Sequence, residues 1–214
     1  MKEKIKDLYY KITGPIFSKK FNCTDFTIIS NNCFGGIIYR NNHLPYLTPT
    51  AGLFIMPQDY IKFIYNLKFY LNISPIEITI EKSKYSKYLK SINYTGTIGK
   101  IKDIEIMFLH YKNFEVAKDK WLKRSKRINY KKIIYKFNDQ NGCTINELEL
   151  FNNFNVPNKI LFTAKKYKGI DSFVLNQYSK NGYVVDDTKR KNTKKVFDIY
   201  KYVNKTFGGK NESK

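Results

Sequence analysis

The 214-residue chain is long enough to bury a substantial core, and its 42% hydrophobic and 16% aromatic content excludes wholesale disorder. A formal net charge of +21 points to an anionic partner: nucleic acid, an anionic membrane surface or phosphorylated small molecules. Lysine far outnumbers arginine, however, and a chain saturated with Lys, Asn, Ile and Tyr is what an AT-rich coding sequence produces, so much of the charge is read as compositional.

Three widely spaced cysteines, Cys23, Cys33 and Cys143, form no CxxC pair, which excludes a disulfide framework or a cysteine zinc site and implies a reducing cytoplasm. Residues 1–20 lack the apolar centre of a signal peptide, and no run approaches the roughly 18 apolar residues of a spanning helix. The expected location is cytoplasmic, with peripheral contact at the inner face of the membrane as the alternative.

In the first segment, 1–20, Ile5, Leu8, Tyr9, Ile12 and Ile16 recur at helical spacing among lysines until Gly14 and Pro15 interrupt the pattern. Such a basic amphipathic helix packs on its own domain or lies on an anionic bilayer. Phe26 to Ile29 then reads as a buried strand. It stops at Ser30, Asn31 and Asn32, and Cys33 and the Gly35-Gly36 pair lead into a helix that ends at Asn41-Asn42. Prolines 45 and 49 make 43–50 a loop, Leu53 to Met56 is a short strand, and Pro57 opens a helix with Tyr60, Ile61, Ile64, Leu67 and Leu71 on one face.

Further strands are expected at 75–80, 96–100 and 104–109, with 82–94 a surface excursion. Asn113 is placed to cap a helix bearing Phe114, Ala117, Trp121 and Ile128, on which Trp121, Arg124 and Arg127 follow at i+3. Strands at 133–137 and 159–163 flank a helix from Thr144. Beyond Gly169 the pattern weakens to an edge strand at 183–185, a helix at 196–203 and a frayed basic tail at 208–214. Repeated strand–helix alternation predicts an α/β fold over 21–207: three layers, a mostly parallel Rossmann-like sheet with helices on both faces, an N-terminal amphipathic helix and an irregular C-terminal extension.

In an open parallel sheet, ligands bind beyond the carboxyl ends of the strands. Those ends carry Asn31, Asn32 and Cys33, then His110 and Tyr111, then Asp139 and Asn141, then Lys165. One use of these parts is acyl transfer from an acyl-CoA donor. Cys33 would be a nucleophile whose thiolate is favoured at a helix N-terminus, His110 its base and Asp139 the orienting group. The other is sugar transfer from a nucleotide-sugar donor, without covalent chemistry. Asn31, Asn32 and the Gly35-Gly36 backbone would hold a diphosphate, Arg124 or Arg127 would neutralise it beside Tyr111 and Trp121, and His110 or Asp139 would activate the acceptor. No Asp-x-Asp, full Rossmann glycine fingerprint or P-loop occurs, so the sugar-transfer reading is metal-independent and dehydrogenase and NTPase readings fall away. A non-catalytic anion or nucleic-acid binder is the third class. No known reader motif appears and the basic residues are spread along the whole chain, so nucleic acid is the least supported partner.

Several of these stretches together resemble a bacterial family known mainly as uncharacterised exopolysaccharide biosynthesis proteins, a domain of unknown function. The resemblance rests on Ile29-Ser-Asn-Asn-Cys-Phe-Gly-Gly, Pro45-Tyr-Leu-Thr-Pro-Thr, Leu53-Phe with Pro57-Gln-Asp-Tyr, Phe108-Leu-His-Tyr, Trp121 with Arg124 and Arg127-Ile-Asn, and Asp139 with Gly142-Cys-Thr, spanning 25–163. The family often has Trp where this chain has Phe34. The resemblance implies an α/β fold and a role in cell-surface polysaccharide assembly on a small-molecule or lipid-linked precursor, and it assigns no catalytic residue.

Overall fold

A computed structural model describes residues 2–209, with side chains from residue 8 onward; residues 210–214 of the expected tail lie outside it. Helix α1, Lys2–Ser18, runs through Pro15. Pro15 and Lys11 are both exposed, so the carbonyl left without a partner by the missing N–H faces water. After it come β1 (Thr27–Ser30), α2 (Phe34–Asn41), β2 (Leu53–Ile55), α3 (Pro57–Tyr65) and α4 (Leu67–Leu71). Next are β3 (Ile76–Ile78), α5 (Ser86–Ser91), β4 (Thr97–Ile101), β5 (Ile104–Phe108) and α6 (Phe114–Ser125). The chain continues with β6 (Ile133–Asn138), α7 (Ile145–Asn153), β7 (Lys159–Thr163), β8 (Phe173–Val174), α8 (Arg190–Thr193) and α9 (Ile199–Phe207).

The expected single, mostly parallel sheet is not what these strands build. Four of them form a parallel sheet in the order β1-β6-β7-β8, and the other four form an antiparallel sheet in the order β2-β5-β4-β3. The antiparallel sheet arises because β4 and β5 pair through the two-residue Lys102-Asp103 loop, with Lys102 at φ 55°, so their connection is a hairpin and not a crossover. The two sheets meet where β1 ends, since the Ile55 amide donates to the Asn31 carbonyl at 2.9 Å. The expected edge strand at 183–185 is irregular chain, and β8 instead adds at 173–174.

Alternation along the parallel strands sends residues to two cores. Ile29, Ile133, Phe137 and Leu161 meet Tyr60, Trp121 and Phe151 in a core shared with Leu53, Ile106 and Phe108 of the antiparallel sheet. Ile28, Ile134, Ile160 and Phe162 meet Phe34, Phe197 and Val203 on the opposite face. The parallel sheet is therefore covered on both sides, as its apolar strands require. Tyr60 stacks on Phe137 at 5.3 Å, a geometry that adds about 1 kcal/mol beyond burial. Its hydroxyl lies 2.8 Å from the Ile29 carbonyl and 2.9 Å from that of Lys136, tying α3 to β1 and β6. No helix among the described residues is long and apolar enough to cross a membrane.

Candidate functional site

The turn from β1 into α2 is built by side chains bonding locally to backbone. Ser30 Oγ donates to the Asn32 carbonyl at 2.7 Å and accepts from the Gly35 amide, while Asn32 Oδ1 accepts from the Phe34 amide at 3.1 Å. Two of the N–H groups at the start of α2 are thereby satisfied within the turn. The two glycines serve close approach. A Cβ on Gly35 would lie 3.1 Å from the Ile28 carbonyl oxygen, and one on Gly36 would lie 2.8 Å from Ala51 Cβ, so α2 sits directly on β1 and on the loop before β2.

A cleft of about 480 Å³ opens along the outer face of α2. Cys33, Gly36, Ile37 and Arg40 line it from the helix, Tyr46, Ala51 and Gly52 from the following loop, His110 and Tyr111 from just beyond β5, and Arg124 from α6. Gly52 organises the rim, its carbonyl accepting from the Leu109 and His110 amides. Arg124 Nη1 donates to Tyr111 Oη at 2.8 Å, and Tyr111 Oη donates to the Ala51 carbonyl. The guanidinium also lies over the Tyr46 ring at 4.5 Å. These bonds use Nη1 alone, leaving the other N–H groups of the fork available among the described residues. Arg40 rests over Tyr10 at 5.5 Å, and its buried Nε has no partner among the described residues. Among the described residues the lining contains two arginines and a histidine but no carboxylate. Such a lining attracts anions.

The expected site residues divide sharply. Cys33, Gly36, His110, Tyr111 and Arg124 come together in this cleft. Burial pushes the Cys33 thiol up to about 11, and its Sγ lies 3.5 Å from the Leu53 carbonyl, so the helix start does not yield a ready thiolate. Asp139 is not among the cleft residues. Its two carboxylate oxygens accept from the Ala164 and Val184 amides, each at 2.7 Å, and fasten the C-terminal segment to the end of the parallel sheet. Burial raises its pKa. Trp121 is core, packed on Phe63 and Phe108, and Arg127 is exposed away from the cleft lining.

Asn31 and Asn32 belong to a buried polar network, not to the cleft. Lys136 Nζ sits 2.5 Å from Asp187 Oδ2, both side chains fully buried, and bonds Asn31 Oδ1 and Asn32 Oδ1 at 3.3 and 3.1 Å. Asn31 donates to Asn138, Asn32 to Asp187 and Gln140, and Asn138 to Asp187 at 2.7 Å and to Gln140. Burial pushes the Lys136 ammonium below the usual lysine range, against the opposing pull of Asp187. The network holds the Asn31–Asn32 turn from within, and none of its members lines the cleft.

Arg40, Tyr46 and Gly52 were missed from sequence. The signal for Arg40 was present, because Cys33, Gly36, Ile37 and Arg40 are spaced i, i+3, i+4, i+7 on one helical face. Lys136 had a signal too. It shares a strand face with Ile134 inside an apolar run, Ile133 to Phe137, and a charge on a buried strand requires a buried partner. Among the described residues no three His, Cys, Asp or Glu side chains gather in a metal-binding group.

Residues 5–207 match the family described as a domain of unknown function, DUF1919. The chain belongs to that family. It is also similar to an uncharacterized protein of Haemophilus influenzae (strain ATCC 51907 / DSM 11121 / KW20 / Rd), 30% identical over 188 residues that cover 86% of this chain and 85% of the relative. Neither the family description nor the relative's name states an activity.

Proposed function

We propose that this protein is a transferase acting on an anionic, phosphate-bearing precursor of a cell-surface polysaccharide, and that it transfers a sugar from a nucleotide-sugar donor. The observation that carries the reading is the cleft framed by Arg40, His110 and Arg124, with no carboxylate in its lining and no partner for the buried Arg40 Nε among the described residues. The arginines hold the donor's diphosphate, with Tyr111 fixing Arg124. The acceptor oxygen bonds to the anomeric carbon as the bond to the diphosphate breaks. Its proton passes to His110, and the leaving-group charge develops between the guanidinium groups. The polysaccharide context comes from the sequence resemblance.

Sugar transfer is favoured over acyl transfer because the latter needs Cys33 as thiolate, and burial opposes that form. It also needs a group to orient His110, and both oxygens of Asp139 bond backbone elsewhere. The test is calorimetric titration with inorganic pyrophosphate and a panel of uridine-diphosphate sugars. Wild type binds. Arg40→Gln and Arg124→Gln each weaken binding by about tenfold or more, the loss of a charged hydrogen bond. Arg127→Gln, on a residue outside the cleft, leaves it unchanged. Absence of binding in wild type, or equal losses in all three variants, refutes the reading.

A further inference from the structure

The apolar stripe of α1 faces away from the protein. Leu8, Tyr9, Ile12 and Ile16 are 58%, 52%, 64% and 63% exposed, whereas the face turned inward carries Tyr10, Gly14 and Phe17. Gly14 sets that orientation, since a Cβ there would meet His43 Cβ at 2.8 Å, so only a glycine face lets the helix lie this close to the end of α2. Tyr10 meets Arg40 on the same side. The base of the helix is anchored as well: Phe21 packs on Tyr200 at 4.7 Å, and Asn204 bonds the Asn22 amide and the Lys20 carbonyl, each at 2.8 Å. The outward stripe is thus held in place by its own scaffold and, apart from the Tyr9–Tyr10 ring contact, has no packing partner among the described residues.

We propose that α1 is a docking helix for an anionic phospholipid bilayer, and that it brings the Arg40–Arg124 cleft to a phosphate carried by a membrane lipid. Charge complementarity selects this occupant. Over residues 1–20 the segment carries Lys2, Lys4, Lys6, Lys11, Lys19 and Lys20 against Glu3 and Asp7, on a chain of net charge +21. Two copies of so basic a face repel each other, whereas an anionic leaflet attracts it, by about fivefold in partition per lysine. Large side chains on one face with lysines beside them fit the headgroup–acyl boundary. Tyr10 on the inward face of α1 touches Arg40, so the docked helix lies next to the wall of the cleft. The lipid-borne substrate rests on the function proposed above; the docking itself does not.

Co-sedimentation with vesicles of phosphatidylcholine alone, and of phosphatidylcholine with phosphatidylglycerol, tests the proposal on the full chain. Wild type sediments with the anionic vesicles and is released by salt. Ile12→Glu and Ile16→Glu, both on exposed positions that leave the thermal midpoint in place, each weaken partition by about tenfold. Arg124→Gln leaves partition unchanged, and Ile12→Glu leaves binding of soluble pyrophosphate unchanged. The two readings therefore fail separately: absent pyrophosphate binding removes the cleft function, while absent sedimentation at physiological salt removes docking. Sedimentation equal in wild type and both glutamate variants overturns the proposal. So does a dimer in sedimentation velocity that Ile12→Glu dissociates, because the stripe would then be a protein interface.

Discussion

The buried Lys136–Asp187 pair makes the sharpest stability prediction. Asp187→Asn keeps one carbonyl oxygen where the native carboxylate has two, which accept separately from Asn32 at 2.9 Å (Oδ1) and Asn138 at 2.7 Å (Oδ2), so one of the two donors also loses its acceptor. The substitution removes the negative charge 2.5 Å from a fully buried ammonium. Lys136 escapes part of the penalty by losing its proton. The cost is then capped at the work of neutralising a lysine, about 1.4 kcal/mol for each unit between the assay pH and the ordinary value of about 10.4, or about 4.6 kcal/mol at about pH 7. Removal of one partner from a buried pair costs about 3–5 kcal/mol, consistent with that ceiling. The sign of the pH dependence follows. With its native-state pKa depressed further, Lys136 is protonated in the unfolded chain but less so in the folded one, and stability rises with pH until the unfolded lysine also loses its proton. The variant's deficit in urea unfolding therefore shrinks as pH rises above neutrality, by up to about 1.4 kcal/mol per pH unit, for as long as the native Lys136 keeps its proton. The double change Lys136→Met with Asp187→Leu recovers much of the loss. A deficit below about 1 kcal/mol, or one that does not change with pH, refutes the ascription of this network to a charged pair.

The Cys33 thiol, raised to about 11, gives iodoacetamide alkylation that quickens about tenfold per pH unit up to about that value; peptide mass spectrometry reads it, and a plateau near neutral pH would restore the nucleophile reading. Cys33→Ser keeps most sugar-nucleotide turnover if the proposed transfer is right, and loss of all turnover with binding intact would point to a covalent intermediate. Gly36→Ala drives a Cβ to 2.8 Å from Ala51 Cβ, costs about 1–3 kcal/mol in urea unfolding, and weakens pyrophosphate binding by shifting the Ala51 carbonyl that holds Tyr111; a wild-type midpoint would show that the loop yields freely.

Much of the element list is legible in the sequence because period and punctuation agree locally. Pro57 opens α3, and Asn113 caps α6 by accepting from the Val116 amide. Thr144 and Glu147 close a capping box on α7. The pairing of strands was not legible for a physical reason. An alternating strand–helix order fits a parallel sheet, and only the Lys102-Asp103 loop reverses the chain between β4 and β5. Its positive φ is carried by a lysine, without the Asn-Gly or Asp-Gly pair that announces a hairpin. The helix expected over 1–20 forms at Lys2–Ser18, and the interruption of its apolar pattern at Gly14 and Pro15 does not end it. An exposed proline late in the helix is tolerated, because the carbonyl it leaves unbonded, that of exposed Lys11, is open to solvent.

The site was half legible, and the division follows from which way the turn faces. Residues at the carboxyl ends of strands were expected to converge on one crevice, and His110 and Tyr111 do reach the cleft from β5. That strand, however, belongs to the antiparallel sheet, so the rule that places ligands beyond parallel strands does not explain their position. The parallel strands β1 and β6 deliver Asn31, Asn32, Lys136 and Asn138 to the interior, where they bond one another and Asp187. The cleft takes its charge from helices instead, from Arg40 near the end of α2 and Arg124 near the end of α6. A cation in the last turn of a helix lies at the negative end of its dipole, which stabilises the guanidinium where it stands. Anion binding at the opposite end of α2 would draw on amides that Ser30 and Asn32 already occupy. The same short helix therefore offers an anion its arginine and its glycine face, and not its N-terminus. That distinction separates a diphosphate held between two arginines from one cradled by the turn, and Arg40→Gln against Ser30→Ala in pyrophosphate titration decides between them.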